Sequence, residues 1–164
     1  MVYNRWIQEG RRMDKSEKKV IDTKEYVTVL KELVNEGKEL SMVIAGYSMS
    51  PFLAHEKDVI YFRKPDRPLK CGDMVFYQRQ NGSYVMHRIW KKKTDGYYIV
   101  GDAQSKIEGP VSEEQIFALI TGVSRKGKRL GPGDLWWEFF EHVWIRVVPI
   151  RRHLLRLYGK IVRK

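Results

Sequence analysis

Met74-Val75-Phe76-Tyr77-Gln78-Arg79-Gln80-Asn81-Gly82-Ser83-Tyr84-Val85-Met86-His87-Arg88-Ile89-Trp90-Lys91 decides the fold class. Two runs rich in β-branched and aromatic residues, 74–80 and 84–91, flank Asn81-Gly82. An Asn-Gly pair readily takes the two positive φ angles of a tight hairpin turn, so the runs are expected to pair antiparallel. Asp95-Gly96 marks a further turn, and 97–100 reads as the strand after it. Short runs at 41–45, 59–63 and 116–124 bring the expected strands to six. No alternation of strands with helices appears, which argues against Rossmann and P-loop architectures. The expectation is a mainly β (α+β) chain with a coiled antiparallel sheet or partial barrel.

Upstream the period changes. Tyr26, Val27, Leu30, Leu33 and Val34 recur at helical spacing, with Asp22 and Glu25 as a capping pair and Gly37 as a stop. This predicts an amphipathic helix over 22–37. Residues 1–21 are polar and charged, with no apolar core of a signal peptide. Residues 125–134 read as a basic, glycine-rich linker. Asp134 caps an expected amphipathic, basic helical tail over 135–164, broken at Pro149.

The 164 residues carry a net charge of +11 and are 43% apolar, enough for a real core. The charge is uneven. Residues 124–164 hold 11 Lys/Arg against 3 Asp/Glu, whereas residues 1–123 hold 20 against 17. The basicity therefore belongs to the tail and suits a local anionic partner. A single cysteine, Cys71, allows neither an internal disulfide nor a cysteine-based zinc site, and fits a reducing compartment. No apolar run is long enough for a conventional membrane-spanning helix.

One stretch carries chemistry. The apolar run Met42-Val43-Ile44-Ala45 leads into Gly46-Tyr47-Ser48-Met49-Ser50-Pro51, where a serine lies between a permissive glycine and a rigid proline. Such a turn can hold a hydroxyl at a strand end, although most Gly-x-Ser triplets are ordinary turns. A serine nucleophile needs a base, and His87 has a suitable ordinary pKa of about 6.5. Strand alternation puts Val85, His87 and Ile89 on one face and Met86, Arg88 and Trp90 on the other. Taken alone, a histidine so placed is more often structural than catalytic.

Gly46-Tyr47-Ser48-Met49-Ser50-Pro51, Lys70-Cys71-Gly72-Asp73-Met74-Val75, Val85-Met86-His87-Arg88-Ile89 and Gly101-Asp102-Ala103, in that order, resemble the signal peptidase and LexA-type superfamily of serine peptidases. The similarity covers roughly 40–124 and implies a peptidase-like domain over 22–124. It implies Ser48 as nucleophile, with Ser50 at a variable place, and His87 as base in the manner of the histidine branch. Lys91-Lys92-Lys93 lie in a solvated charge run, unsuited to a neutral amine base. For the third member the resemblance leaves Glu108 and Asp102. Lysine-type relatives imply that Arg88 pairs with Asp102 as a structural brace, which leaves Glu108 as the remaining acid. Gly46, Tyr47, Met49 and Pro51 form the oxyanion and substrate turn. Gly46 stands where many signal peptidases carry a serine, so oxyanion stabilisation falls to backbone N–H groups and a slow enzyme is expected.

Of the rest, Asp73 reads as a turn residue, Cys71 as structural and His55 as an inferior base. His142 and His153 have no ligand-like spacing. Neither metal nor cofactor is expected. The expected partner is a peptide or protein substrate, and activity should fall below about pH 6.5 as His87 protonates. The tail suits either an anionic membrane surface or packing on the domain or in a homodimer. That implies a cytoplasmic protein, peripheral at the inner face of the membrane. A non-catalytic binding module on the same fold is the alternative. A LexA-like DNA-binding regulator ranks low, because only one helix precedes residue 40, so nucleic acid is not an expected partner.

Overall fold

The computed structural model describes residues 23–154 and 156. The polar segment 1–21, the Asp22 half of the capping pair and the basic residues after Arg156 lie outside it. Helix α1 (Thr23–Asn35) buries Tyr26, Leu30 and Val34, the stripe that its spacing predicts. Strands follow at β1 (Leu40–Val43), β2 (Val59–Arg63), β3 (Met74–Gln78), β4 (Tyr84–Lys93), β5 (Gly96–Val100), β6 (Glu108–Val111), β7 (Ile116–Arg125) and β8 (Lys128–Leu130). All pairings are antiparallel, in the order β1-β2-β7-β3-β4-β5-β6, with β8 on β7. Register shifts at Tyr61/Phe62, Phe76/Tyr77 and Ile89/Lys91 are bulges, which coil the sheet.

The coiled sheet has apolar side chains on both faces. One cluster joins α1, Ile60, Phe62, Met86 and Phe117 to Met49, Phe52, Trp137 and Phe140. The other joins Val75, Tyr77, Ile89, Tyr97, Ile99, Ile116 and Leu119. β4 therefore packs on both sides. Its alternation separates two buried layers rather than a buried face from a wet one.

One expectation about the C-terminal part needs correction. The supposed linker 125–134 contains a hairpin. Lys126 and Gly127 take φ of 50° and 77°, a tight turn that folds Lys128–Leu130 back onto Val123–Arg125. Of the readings of the segment from Leu135 onward, packing on the domain describes its first part. Helix α2 (Leu135–Glu138) runs into a π turn at Phe139–Val143 and a 3-10 turn at Trp144–Val147. Trp137, Phe140, Ile145 and Val148 are buried. The sequence missed β6 because Gly109-Pro110 reads as a strand breaker. Among the described residues no helix is long and apolar enough to cross a membrane.

Phe140 lies against Phe52, with ring centroids 5.0 Å apart, in the cluster that anchors the Ser48 turn. Phe140→Ala should destabilise the fold by about 3–5 kcal/mol in urea titration. A change below about 1 kcal/mol would mean that the C-terminal element is peripheral after all.

Candidate active site

The Ser48 turn is pinned from both ends. Ile44 and Met49 are buried, and Phe52 and Leu53 follow them into the core. Gly46 takes φ of 112°, and its N–H donates to His55 Nδ1 at 2.9 Å. The Tyr47 ring tilts against His55 at 4.5 Å. His55 thus braces the turn rather than acting as a base. The Ser48 carbonyl accepts the Ala103 N–H at 2.8 Å, so the Gly-Asp loop docks directly on the Ser48 turn. The N–H groups of Ser48 and Met49 have no partner among the described residues.

His87 sits in β4 with 1% of its surface exposed. Its Nδ1 lies 3.4 Å from the Tyr77 hydroxyl and 3.9 Å from Glu108 Oε1. Tyr77 in turn donates its single proton to Glu108 Oε2 at 2.8 Å. The Tyr77 oxygen can then only accept from His87, which assigns the proton to Nδ1 and leaves the lone pair on Nε2. Glu108 is held by Arg79, whose Nε donates to Oε2 at 2.7 Å and whose Nη2 donates to Oε1. That guanidinium keeps the Glu108 carboxyl below its ordinary value. Glu108 therefore reaches His87 chiefly through Tyr77.

Burial lowers the His87 pKa to about 4, against a weaker opposing pull from Glu108. The ring is neutral across the usual working range. It is in the right state to accept a proton, but it is a weak base. The His87 protonation step, expected near pH 6.5, lies at about pH 4 in the folded chain.

Gly101 joins the two halves. A Cβ there would lie 2.6 Å from the Ser48 carbonyl oxygen and 3.1 Å from His87 Cδ2, the carbon bonded to Nε2. Only glycine fits between them. Ser48 and His87 share no hydrogen bond with each other among the described residues. Behind Gly101, Asp102 and Arg88 are both fully buried, and Arg88 donates two hydrogen bonds to Asp102, 3.2 Å from Nε to Oδ1 and 3.0 Å from Nη2 to Oδ2. Arg88 Nη1 also donates to the Gly72 carbonyl at 2.8 Å, which ties in the Lys-Cys-Gly-Asp box. Asp102 is thus committed to Arg88 and is not the group that faces His87. Asp73 closes its own turn by accepting the Lys70 N–H at 2.8 Å, and Arg67 pairs with it. The Cys71 thiol donates to the Trp90 carbonyl, and burial raises its pKa. Lys91, Lys92 and Lys93 are exposed at the far end of β4.

Four residues of the site escaped the sequence reading: Tyr77, Arg79, Trp144 and Arg151. The first depends on a turn that differs from the expected one. Only Gly82 takes a positive φ, 82°, and the Arg79 N–H donates to the Ser83 carbonyl at 2.9 Å, so the loop spans residues 80–82 and sets Tyr77 opposite Val85, a diagonal neighbour of His87, rather than opposite Met86. The last two come from the C-terminal element. Trp144 donates its indole N–H to the Asp102 carbonyl at 2.9 Å. Arg151, fully buried, donates to the carbonyls of Gly101 at 2.8 Å and Gln104 at 3.0 Å. Burial lowers its pKa to about 10. The loop that positions Ser48 and His87 is thus clamped from behind.

An apolar cleft of about 580 Å³ opens beside Ser48, between α1, β1 and the β3–β4 hairpin. Leu30, Met42, Phe62, Phe76, Met86 and Phe117 are among its walls. Two strand edges face it. β1 pairs only with β2, and residues 84–87 of β4 pair only with β3, because β5 joins from Arg88 onward. Comparison with known proteins found no matching family model, curated protein or solved structure.

A His87 pKa of about 4 in the folded chain, against about 6.5 unfolded, means that the unfolded chain binds the extra proton first. This contribution is present above pH 6.5 and is lost as pH falls to 4. About 3 kcal/mol of stability should go over that interval. His87→Gln should remove that part of the slope in chemical denaturation at several pH values. An unchanged slope would show that His87 titrates normally.

Proposed function

We propose that the chain is a serine endopeptidase of the signal peptidase/LexA type, acting through Ser48 and His87. The observation that carries this reading is the convergence on Gly101 of the Ser48 turn and a buried, neutral His87. The adjoining cleft supports an extended peptide as substrate. A peptide laid between the free edges of β1 and β4 would gain main-chain hydrogen bonds and bury alternate side chains in the apolar walls.

In that reading Ser48 Oγ attacks the scissile carbonyl carbon and its proton passes to His87 Nε2. The Ser48 and Met49 N–H groups stabilise the oxyanion. The C–N bond breaks, the departing amine takes the proton from His87, and the acyl group stays on Ser48. Water, deprotonated by His87, then cleaves that ester. Glu108 steadies the imidazolium through Tyr77. The weak base predicts slow turnover.

The missing Ser48–His87 hydrogen bond favours a second reading, a binding module that has kept the fold without the activity. Catalytic hydrogen bonds commonly tighten only once substrate is bound, so the first reading stands ahead.

Labelling by a fluorophosphonate probe separates the two. Wild type should be labelled, and Ser48→Ala should not. His87→Ala should cut the rate by at least about ten-thousand-fold. The rate should hold from neutral pH down to about 5 and fall as His87 gains its proton near 4, because an imidazolium cannot accept the serine proton. Absence of labelling in a folded wild type would leave the binding-module reading. Tyr77→Phe should slow labelling without loss of fold. An unchanged rate would remove Tyr77 from the proton path.

A further inference from the structure

The C-terminal element turns one face inward and another outward. Trp137, Phe140, Ile145 and Val148 are packed on the sheet. The outward face carries Leu135 at 90% exposure, Trp136 at 39%, Phe139 at 41%, Val143 at 50% and Ile150 at 54%. Leu135, Phe139 and Val143 follow at intervals of four, so they form a stripe. Single exposed apolar residues are ordinary. Five large ones on one short element form a patch of the kind that meets a partner.

The charge around the patch says what kind. Each acid on the element already has a partner. Asp134 accepts the Gly131 N–H at 2.7 Å. Glu138 accepts the Gly133 N–H at 2.8 Å and pairs with His142 at 3.0 Å. Glu141 is buried, accepts the Trp137 indole N–H and pairs with Lys70. The exposed Arg146, Arg152 and Arg156 have no carboxylate partner among the described residues, and Arg125 lies over the Trp136 ring at 5.7 Å. Lys160, Arg163 and Lys164 follow in sequence. The element thus exposes both large apolar side chains and arginines without a carboxylate partner among the described residues.

We propose that this face docks on an anionic lipid bilayer. Leu135, Trp136, Phe139 and Val143 enter the boundary between headgroups and acyl chains, and the arginines pair with lipid phosphates. A second copy of the chain fits less well. A symmetric contact through this face would bring together two sets of arginines that have no carboxylate partner, while the acids of the element are already engaged within it. Docking would also bring the cleft close to the membrane. Trp136 reaches the Phe52 carbonyl beside the Ser48 turn, and Trp144 and Arg151 hold the Gly101–Gln104 loop. Substrates presented at a bilayer surface would then lie within reach. The docking itself rests on the surface alone and not on the peptidase reading.

The full chain should co-sediment with phosphatidylcholine vesicles containing phosphatidylglycerol, at least about tenfold more strongly than with phosphatidylcholine alone, and less at high salt. Combined Leu135→Ser, Phe139→Ser and Val143→Ser should abolish binding, and the exposed Leu135→Ser alone should weaken it. Combined Arg152→Ser and Arg156→Ser should remove the preference for anionic vesicles. Ser48→Ala should bind as wild type does, which keeps this test separate from that of catalysis. No binding to anionic vesicles, or wild-type binding by the folded triple variant, would overturn the proposal. So would a dimer in light scattering that the triple variant dissolves, since it would identify a second copy as the occupant.

Discussion

The buried pair of Arg88 and Asp102 is the constraint on which the site depends. It lies beneath the surface where β4, the Gly72 turn and the Gly101–Gln104 loop meet. Both side chains are fully buried, so each would be a costly isolated charge without the other. Burial pushes the Asp102 carboxyl up, and Arg88 beside it pulls the other way. Losing one partner of such a pair costs about 3–5 kcal/mol. The pair does no chemistry in the proposed mechanism. It ties β4 to the loop residue next to Gly101, where a Cβ would meet both the Ser48 carbonyl and His87.

The loop has a second support. A chain that ended with β8 would take the C-terminal donors from the carbonyls of Asp102 and Gln104 and leave that of Gly101 with the Gln104 N–H alone. Trp144 and Arg151 supply those donors, and the Phe52–Phe140–Trp137 cluster presses the Ser48 turn from the same side. The C-terminal element is thus a structural support of the loop. Its composition carried both meanings at once: half of its large apolar residues pack inward, and the other half stay exposed.

Much of the sheet was legible because strand period and turn chemistry are local. The 84–91 run with Asn81-Gly82 gave the hairpin but not its register: a two-residue turn would set Tyr77 opposite Met86, whereas the loop spans three residues and sets Tyr77 opposite Val85. The misses have local causes too. Gly109-Pro110 hid β6, and the basic, glycine-rich run 125–134 hid a tight hairpin whose turn is Lys126-Gly127. For the site, Arg88 facing Asp102 was expected from resemblance, and the two are paired in the structure. The route from Glu108 to His87 through Tyr77 was not foreseen, because it joins side chains separated by 31 and 10 positions.

By itself the sequence determined the antiparallel strands, the α1 stripe, the turn at Gly46–Pro51 and the residue types available for chemistry. These depend on backbone preferences and on periods of two and 3.6 residues, which act over short stretches. Only the tertiary structure decided that His87 is neutral, with a pKa near 4, because that value comes from burial between two apolar layers. It alone decided that Gly101 separates Ser48 from His87 and that Arg151 clamps the loop. Desolvation and close approach are properties of space, and no spacing along the chain encodes them.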